Sequence, residues 1–379
     1  MPTITPATTE DLSAALKDAS AQNRTVTPTG GRTKQTWGHP IATDVEISTK
    51  NLTGILDHSW GDLVATVAAG TPWSAMQAAL AQHGQQVALD PIFPAQATVG
   101  GILATNDSGL LRLKYGSLRD LILGMTIVLA DGTIARTGGK VVKNVAGYDL
   151  PKLLTGSFGT LGIITEATFR LHPLPQHTTH FIVRSAEIAP LADLMTAILQ
   201  ASFSLERMQL RTEALAYALD LEFATLPELL PEQEQRLRTL APTLSIDATT
   251  AAIFNAREQL FTQPAATVLK ITAPSNKLAA LVAGVAALNQ LPDHEATCVA
   301  DPVGIVTVRL TAAPEQVTTI IEDLRARVLG IGGAVVVLAT PHTSDPWGPA
   351  PAAIDIMRNI KKEFDPQNLL NPGKFVGGI

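Results

Sequence analysis

The sequence predicts an α+β protein of two domains. One observation is the order of segments in its second half, where stretches of strand and helix character alternate as β-α-β-β-α-β, the order of a ferredoxin-like layer. Another is glycine usage: 19 of the 28 glycines fall in residues 1–175, and none occurs between Gly162 and Gly284. Glycine permits close backbone approach, so the first half reads as loop-rich, with main chain held against something, and the second as regular. The third is composition. With 46% apolar and 16% charged residues, 379 residues hold enough apolar material for a large core and too little charge for a disordered chain.

Taken in order, Glu10–Gln22 has helical spacing in Leu12, Ala15, Leu16 and Ala19, and Arg24–Thr27 then leads into Pro28 and a glycine turn. Leu63–Ala68 alternates as a strand, and Thr71–His83 follows as a helix with Pro72 in its first turn. Leu121–Leu129 and Thr133–Arg136 form a hairpin about Asp131-Gly132. Leu161–Leu171 is β-rich, and His172-Pro173-Leu174-Pro175 ends the first domain. The next domain, 176–340, opens with strands at His180–Arg184, Arg207–Arg211 and Tyr217–Phe223 around a helix at Pro190–Gln200, one β-α-β-β unit. The complete β-α-β-β-α-β set runs from Thr267–Thr272 to Ala334–Ala339, its helices on one face of an antiparallel sheet. Residues 341–379 carry a helix at Ile354–Phe364 and a Pro372-Gly373 turn, and no repeat of fixed period is visible.

Several functions are excluded. The longest apolar stretch, Leu278–Leu288, has 11 residues against the roughly 20 that span a bilayer. No basic flank with an apolar stretch opens the chain, so a cytoplasmic location is expected and the Asn-x-Ser/Thr triplets carry no glycosylation meaning. A net charge of −6 without a basic stripe argues against nucleic acid. The single Cys298 excludes an internal disulfide and an iron–sulfur centre ligated by this chain alone. His177 and His180 have a metal-like spacing but no neighbouring Glu, and no metal is expected.

Three glycine elements carry the chemistry. Pro28-Thr29-Gly30-Gly31-Arg32-Thr33 can turn successive amides into an anion-binding concavity, with the Thr29 and Thr33 hydroxyls as added donors; an ordinary strand-to-loop turn is the alternative. Thr98-Val99-Gly100-Gly101 through Asn106-Asp107-Ser108-Gly109 would let a helix N-terminus and its following loop lie on a ligand. The third comprises Tyr115–Asp120, Lys143–Leu150 and Gly156–Gly162. Its glycine spacing is not GxGxxG and a strand follows, which disfavours a Rossmann turn; Gly330-Ile331-Gly332 fails the same test, and no GxxxxGK[ST] loop exists.

The strings TPTGGRTK (27–34), PAQATVGGILATNDSG (94–109), YGSLRDLILG (115–124), GGKVVKNVAGYDLPKLLTGSFGTLGIITEA (138–167) and FDPQNLLNPGK (364–374) closely resemble the p-cresol methylhydroxylase-type FAD-binding domain of the vanillyl-alcohol oxidase superfamily. The length and the KNVAGYDLPKLLTGS string are most similar to the GlcE-type subunits of bacterial glycolate oxidase. The resemblance implies non-covalent FAD held between two α+β subdomains in 1–175, a ferredoxin-like α+β cap in 176–340, and 341–379 returning to the FAD domain. It assigns the diphosphate to the amides of Thr29, Gly30, Gly31, Arg32 and Thr33. It adds Pro94, Thr98, Val99, Gly100, Gly101, Thr105, Asn106, Ser108, Gly109, Gly116 and Ser117, then Gly159, Gly162, Ile163 and Ile164 for the adenine and ring, and Asn371 and Lys374 closing over the site. Covalent members often carry a His beside the first glycine loop, where Arg32 and Thr33 stand here.

The cap departs from the family. Relatives that oxidise D-2-hydroxy acids carry an HxxGDGNxH-like cluster there, whereas residues 176–340 hold only His177, His180 and His294 and no GDGN. Without such a base nothing evident removes the substrate's hydroxyl proton, and no catalytic residue is assigned. The resemblance therefore implies an electron-transfer or assembly subunit acting with a sister flavoprotein subunit and an iron–sulfur subunit, any membrane association running through those partners. The alternatives are a self-sufficient oxidase of a small 2-hydroxy acid or alcohol, its substrate oriented by Tyr115, Arg119, Arg207 or Arg309, and a flavin-free scaffold.

Overall fold

A computed structural model describes residues 1–140, 148–214, 216–263 and 265–379. Lys143–Gly147 of the third glycine element lie outside the described residues. The chain forms two compact units, Met1–Leu174 with Pro349–Ile379, and Pro175–Gly348.

The first unit begins with β1 (Thr3–Ile4), and the helix Thr9–Ala21 starts where Thr8 caps it. The Asp11 amide donates to the Thr8 hydroxyl (3.0 Å) and the Thr8 amide to the Asp11 carboxylate (3.1 Å), a reciprocal capping box. Leu12, Leu16 and Ala19, four and three residues apart, form its buried stripe. That stripe packs on β2 (Val26–Thr29) and β3 (Val45–Ser48), which with β1 make a parallel sheet in the order β1-β3-β2. The tail joins this sheet, because the Val26 amide donates to the Leu369 carbonyl (2.8 Å) and the Asn371 amide to the Val26 carbonyl (2.9 Å).

Chain order then gives β4 (Ile55–Ser59), β5 (Val64–Ala68), β6 (Gln85–Gln86), β7 (Ile122–Val128), β8 (Ile134–Gly138), β9 (Ile163–Arg170) and β10 (His172–Pro173). Five of these form an antiparallel sheet, β4-β5-β9-β7-β8, and β6 pairs with β10. The hairpin about Asp131-Gly132 joins β7 to β8, and the Gly132 carbonyl accepts from the Ser13 hydroxyl, tying the turn to the first helix. Trp73, on the helix Trp73–Ala81, meets Phe169 of β9 edge to face at 6.0 Å within the sheet's core.

The second unit is one eight-stranded antiparallel sheet. Its strands are β11 (Thr178–Ser185), β12 (Leu205–Thr212), β13 (Tyr217–Ala224), β14 (Ser245–Ala248), β15 (Thr267–Thr272), β16 (Glu295–Asp301), β17 (Ile305–Thr311) and β18 (Ala334–Ala339), ordered β14-β11-β13-β12-β16-β17-β15-β18. Each half is β-α-β-β-α-β with its strands in the ferredoxin-like order, fourth, first, third, second. The halves meet where Leu210 faces Ala300 and Arg211 faces Val299. The predicted incomplete first unit is therefore completed by the helix Leu230–Leu240 and β14. Corresponding first strands begin at Thr178 and Thr267, 89 residues apart, so the fold is duplicated although no repeat is visible in the sequence.

Candidate functional site

The site lies in the first unit, where β2 ends. Leaving β2, Gly30, Gly31, Arg32 and Thr33 turn away from the sheet, and among the described residues their four amides donate to no protein acceptor. A Cβ on Gly31 would collide with the Gln96 carbonyl, and one on Gly30 with the Thr98 hydroxyl, so the first two glycine elements are in direct contact. Behind the turn, buried Glu46 on β3 accepts from the Thr29 hydroxyl (2.8 Å) and from the Arg32 guanidinium. The hydroxyl of Thr29, expected as a ligand donor, is thus already bonded within the protein.

These loops border an open cleft of about 760 Å³, a volume that includes space continuous with solvent. It gathers 15 of the 22 residues assigned from sequence: the Thr29–Thr33 turn, Thr98, Gly100, Gly101 and Thr105, Gly159 and Gly162 to Ile164, and Asn371 with Lys374. The other seven do not line it. The Pro94 carbonyl accepts from the Ser74 amide (2.9 Å), and Val99 is fully buried in the core. Asn106 caps the helix Val99–Thr105. Ser108 and Gly109 belong to a loop gathered around Asp90, whose carboxylate takes the Leu110 and Leu111 amides (3.0 Å each) and would strike a Cβ on Gly109. Gly116 and Ser117 precede the short helix Leu118–Leu121, where the Ser117 hydroxyl donates to Asp120 (2.7 Å). The expected helix N-terminus is also occupied, since the amides of Val99, Gly100 and Gly101 donate to the Thr71 carbonyl, the Ala69 carbonyl and the Thr98 hydroxyl.

Six lining residues were not assigned from sequence: Pro28, Lys34, Gln35, Thr49, Ala104 and Phe158. Pro28, Lys34, Ala104 and Phe158 stood inside the matching strings, while Thr49 follows β3 and reaches the cleft only because β3 runs beside β2; its amide donates to the Thr29 carbonyl (2.8 Å). Lys34 Nζ lies 3.2 Å from Asp107 Oδ2, both side chains buried, and joins the first loop to the second.

The tail closes the cleft. Asn371 Nδ2 donates to the Phe158 carbonyl (2.7 Å), and Lys374 Nζ to the Gln35 carbonyl (2.9 Å). Burial pushes the Lys374 amine down to about 8. Arg32, Lys34 and Lys374 line the cleft and, among the described residues, no carboxylate does, so its field attracts an anion.

Of the arginines and histidines considered from sequence, Arg207, Arg309 and His180 lie on strands of the second unit's sheet, and His177 and His294 just before strands. Glu222 is held by Arg207 and by His180 Nε2 (3.2 Å), with the Arg207 guanidinium 4.3 Å from the Phe254 ring centre. Arg309 pairs with Glu295 (2.5 Å), His294 contacts the Pro292 carbonyl (2.6 Å), and His177 is exposed. Among the described residues, no three His, Cys, Asp or Glu side chains gather to hold a metal ion. No described helix is long and apolar enough to cross a membrane.

Residues 2–138 match the FAD binding domain model, and residues 347–375 match the C-terminal domain of FAD linked oxidases. The chain is 26% identical over 414 residues to the glycolate oxidase subunit GlcD of Bacillus subtilis (strain 168), covering 98% of this chain and 88% of that one. It is 37% identical over 214 residues to the mitochondrial cytochrome-type D-lactate dehydrogenase 1 of Saccharomyces cerevisiae, a match covering 55% of this chain and 36% of that relative. Among solved structures, alkyldihydroxyacetonephosphate synthase superposes with a TM-score of 0.75 at 16% identity, over 98% of this chain and 75% of that one, a likeness of fold alone. The unpaired amides of the Gly30-Gly31 turn, the cationic lining and the close glycine contact fit a bound dinucleotide diphosphate. The chain carries an FAD-binding domain at 2–138 and the C-terminal element of FAD linked oxidases at 347–375, in a fold of the p-cresol methylhydroxylase type, and it is an FAD-dependent oxidoreductase.

Proposed function

We propose that this chain is the FAD-binding subunit of a multi-subunit glycolate oxidase, which converts glycolate to glyoxylate, and that its role there is electron transfer or assembly. The observation that carries the reading is the pairing of a cleft that gathers most of the assigned cofactor residues with a cap whose three histidines offer no acid/base cluster. The likeness to the B. subtilis subunit along nearly the whole chain supports the substrate. The sequence strings favour a GlcE-type subunit whereas that relative is named GlcD, so the place within the complex rests on the cap. We assign the cofactor to the lining residues above, held without a covalent bond, and the cap role to Pro175–Gly348.

Glycolate must lose a hydride from its carbinol carbon and a proton from its hydroxyl. FAD, when bound to this chain, would supply an electron carrier. This chain's residues would do the holding: the Gly30–Thr33 amides take the diphosphate, and the Lys361-anchored tail keeps Asn371 and Lys374 over the cleft. The cap's three histidines form no acid/base cluster, so hydride and proton would both leave glycolate on the sister flavoprotein subunit, and the flavin held here would take electrons from that subunit and pass them to an iron–sulfur subunit. The isolated chain should purify yellow and keep its spectrum under anaerobic glycolate, then bleach when the sister subunits are added. Bleaching of the isolated chain would sink this reading. It would favour a self-sufficient dehydrogenase of a 2-hydroxy acid, which the similarity to D-lactate dehydrogenase supports.

A further inference from the structure

Arg32 stands out among the cleft residues. It follows the two glycines in a left-handed conformation (φ 58), a cost that a non-glycine residue bears only where its surroundings impose it. Its guanidinium lines the cleft and is 58% exposed, yet it is tethered to Glu46, whose side chain is 4% exposed. The same Glu46 oxygen accepts the Thr29 hydroxyl, so one buried carboxylate holds the residues on both sides of Gly30-Gly31. A guanidinium has five N–H donors, and only one bond, from Nη2, is directed at Glu46. The others remain for a ligand beside the unpaired amides. Lys34, by contrast, is buried against Asp107 with no comparable exposed face.

We infer that the Arg32 side chain is a direct ligand of the cofactor's diphosphate, and that Glu46 is the positioning residue that holds it and the glycine turn ready before the cofactor arrives. Fixing the guanidinium in advance removes much of the ordering cost of binding. Burial of Glu46 shields the carboxylate side of the tether, so the pair is screened less than one with both partners exposed.

The test is FAD binding to the flavin-free full chain, followed by flavin fluorescence at low and high salt. No substrate is used, so the outcome is independent of the glycolate reading. Arg32→Met should weaken FAD binding roughly ten- to hundredfold at low salt, the range of charge-assisted hydrogen bonds, and by much less in 1 M salt. Glu46→Gln, whose amide oxygen can still accept the Thr29 hydroxyl but carries no charge for Arg32, should weaken binding severalfold alone and have no further effect in the Arg32→Met background. The Arg32→Met/Glu46→Gln double variant also guards against misfolding, since it leaves no unpaired buried carboxylate. Wild-type affinity in Arg32→Met, a loss equal at both salt concentrations, or additive effects of the two substitutions would each overturn the inference.

Discussion

Replacing Lys361 with Met should destabilise the first unit by about 3–5 kcal/mol, although Lys361 lies outside the cleft. The magnitude follows from what the amine holds. Lys361 Nζ donates to Asp365 Oδ2 (2.6 Å), the Thr160 carbonyl (2.9 Å) and the Leu370 carbonyl (2.9 Å). Asp365, fully buried, also accepts the Leu369 (3.0 Å) and Leu370 (2.8 Å) amides. One buried cation therefore ties the helix Ile354–Phe364, the loop leading into β9, and the tail segment that extends the β1-β3-β2 sheet. Burial pushes the Lys361 amine below its ordinary range and the Asp365 partner opposes that shift, a sign that the pair stands in a poorly solvated place. Met fills similar volume but leaves Asp365 an uncompensated buried charge and two carbonyls without their donor. For a unit of about 200 residues the loss corresponds to a melting shift of roughly 6–20 °C. Trp37 and Trp73, both buried in this unit, report it by fluorescence. Adding Asp365→Asn removes the stranded charge and should recover part of the loss, and FAD affinity should fall in Lys361→Met because Asn371 loses its seat. A Lys361→Met protein within about 1 kcal/mol of wild type would refute the reasoning.

The amine of Lys374 should make FAD binding pH-dependent: affinity falls roughly tenfold as pH rises through about 8 and the charge facing the cofactor is lost, and Lys374→Met flattens that profile in isothermal titrations. Stability of the flavin-free protein should move oppositely. The unfolded chain, with an ordinary value of 10.5, binds more protons between about 8 and 10.5, so stability rises with pH across that window and denaturant midpoints should show it. Gly31→Ala should abolish flavin retention because its Cβ meets the Gln96 backbone, whereas Gly30→Ala meets only the rotatable Thr98 hydroxyl and should retain part of the flavin; absorbance at purification separates them. Burial pushes the Cys298 thiol up to about 12, so a thiol reagent should find no reactive cysteine in the native protein and one after unfolding.

What was legible in the sequence was what local chemistry encodes. The capping box at Thr8 and Asp11, the Asp131-Gly132 hairpin and the helix Ile354–Phe364 depend on residues a few positions apart, and their signals are strong. The helix Leu230–Leu240 and β14 were not legible. The helix is dominated by charged and polar residues after Pro231, and β14 has one buried side chain, Ile246, in four; both are specified by packing on β11 and β13, not by their own periodicity. The glycine elements show the same limit. Their sequences mark places where backbone comes close to something but not what that something is. At Gly31 the neighbour is the second loop, and the cleft results. At Gly109 it is the Asp90 carboxylate, an internal contact that carries no ligand.

That distinction bears on how the first unit can bind FAD without a GxGxxG helix. In a Rossmann turn the diphosphate meets the amides of a helix N-terminus. Here the corresponding amides, on the helix Val99–Thr105, are consumed by Ala69, Thr71 and Thr98. The unpaired amides belong instead to a turn with no helix behind it, so the macrodipole's contribution is missing. The positive field has to come from side chains, and the cleft supplies Arg32, Lys34 and Lys374, the first two with a buried carboxylate behind them. Those carboxylates keep the cleft from accumulating unbalanced charge, and they lie behind the cations that line it. A diphosphate entering from the open side therefore meets the exposed Arg32 guanidinium first, with the two buried lysines deeper in the lining.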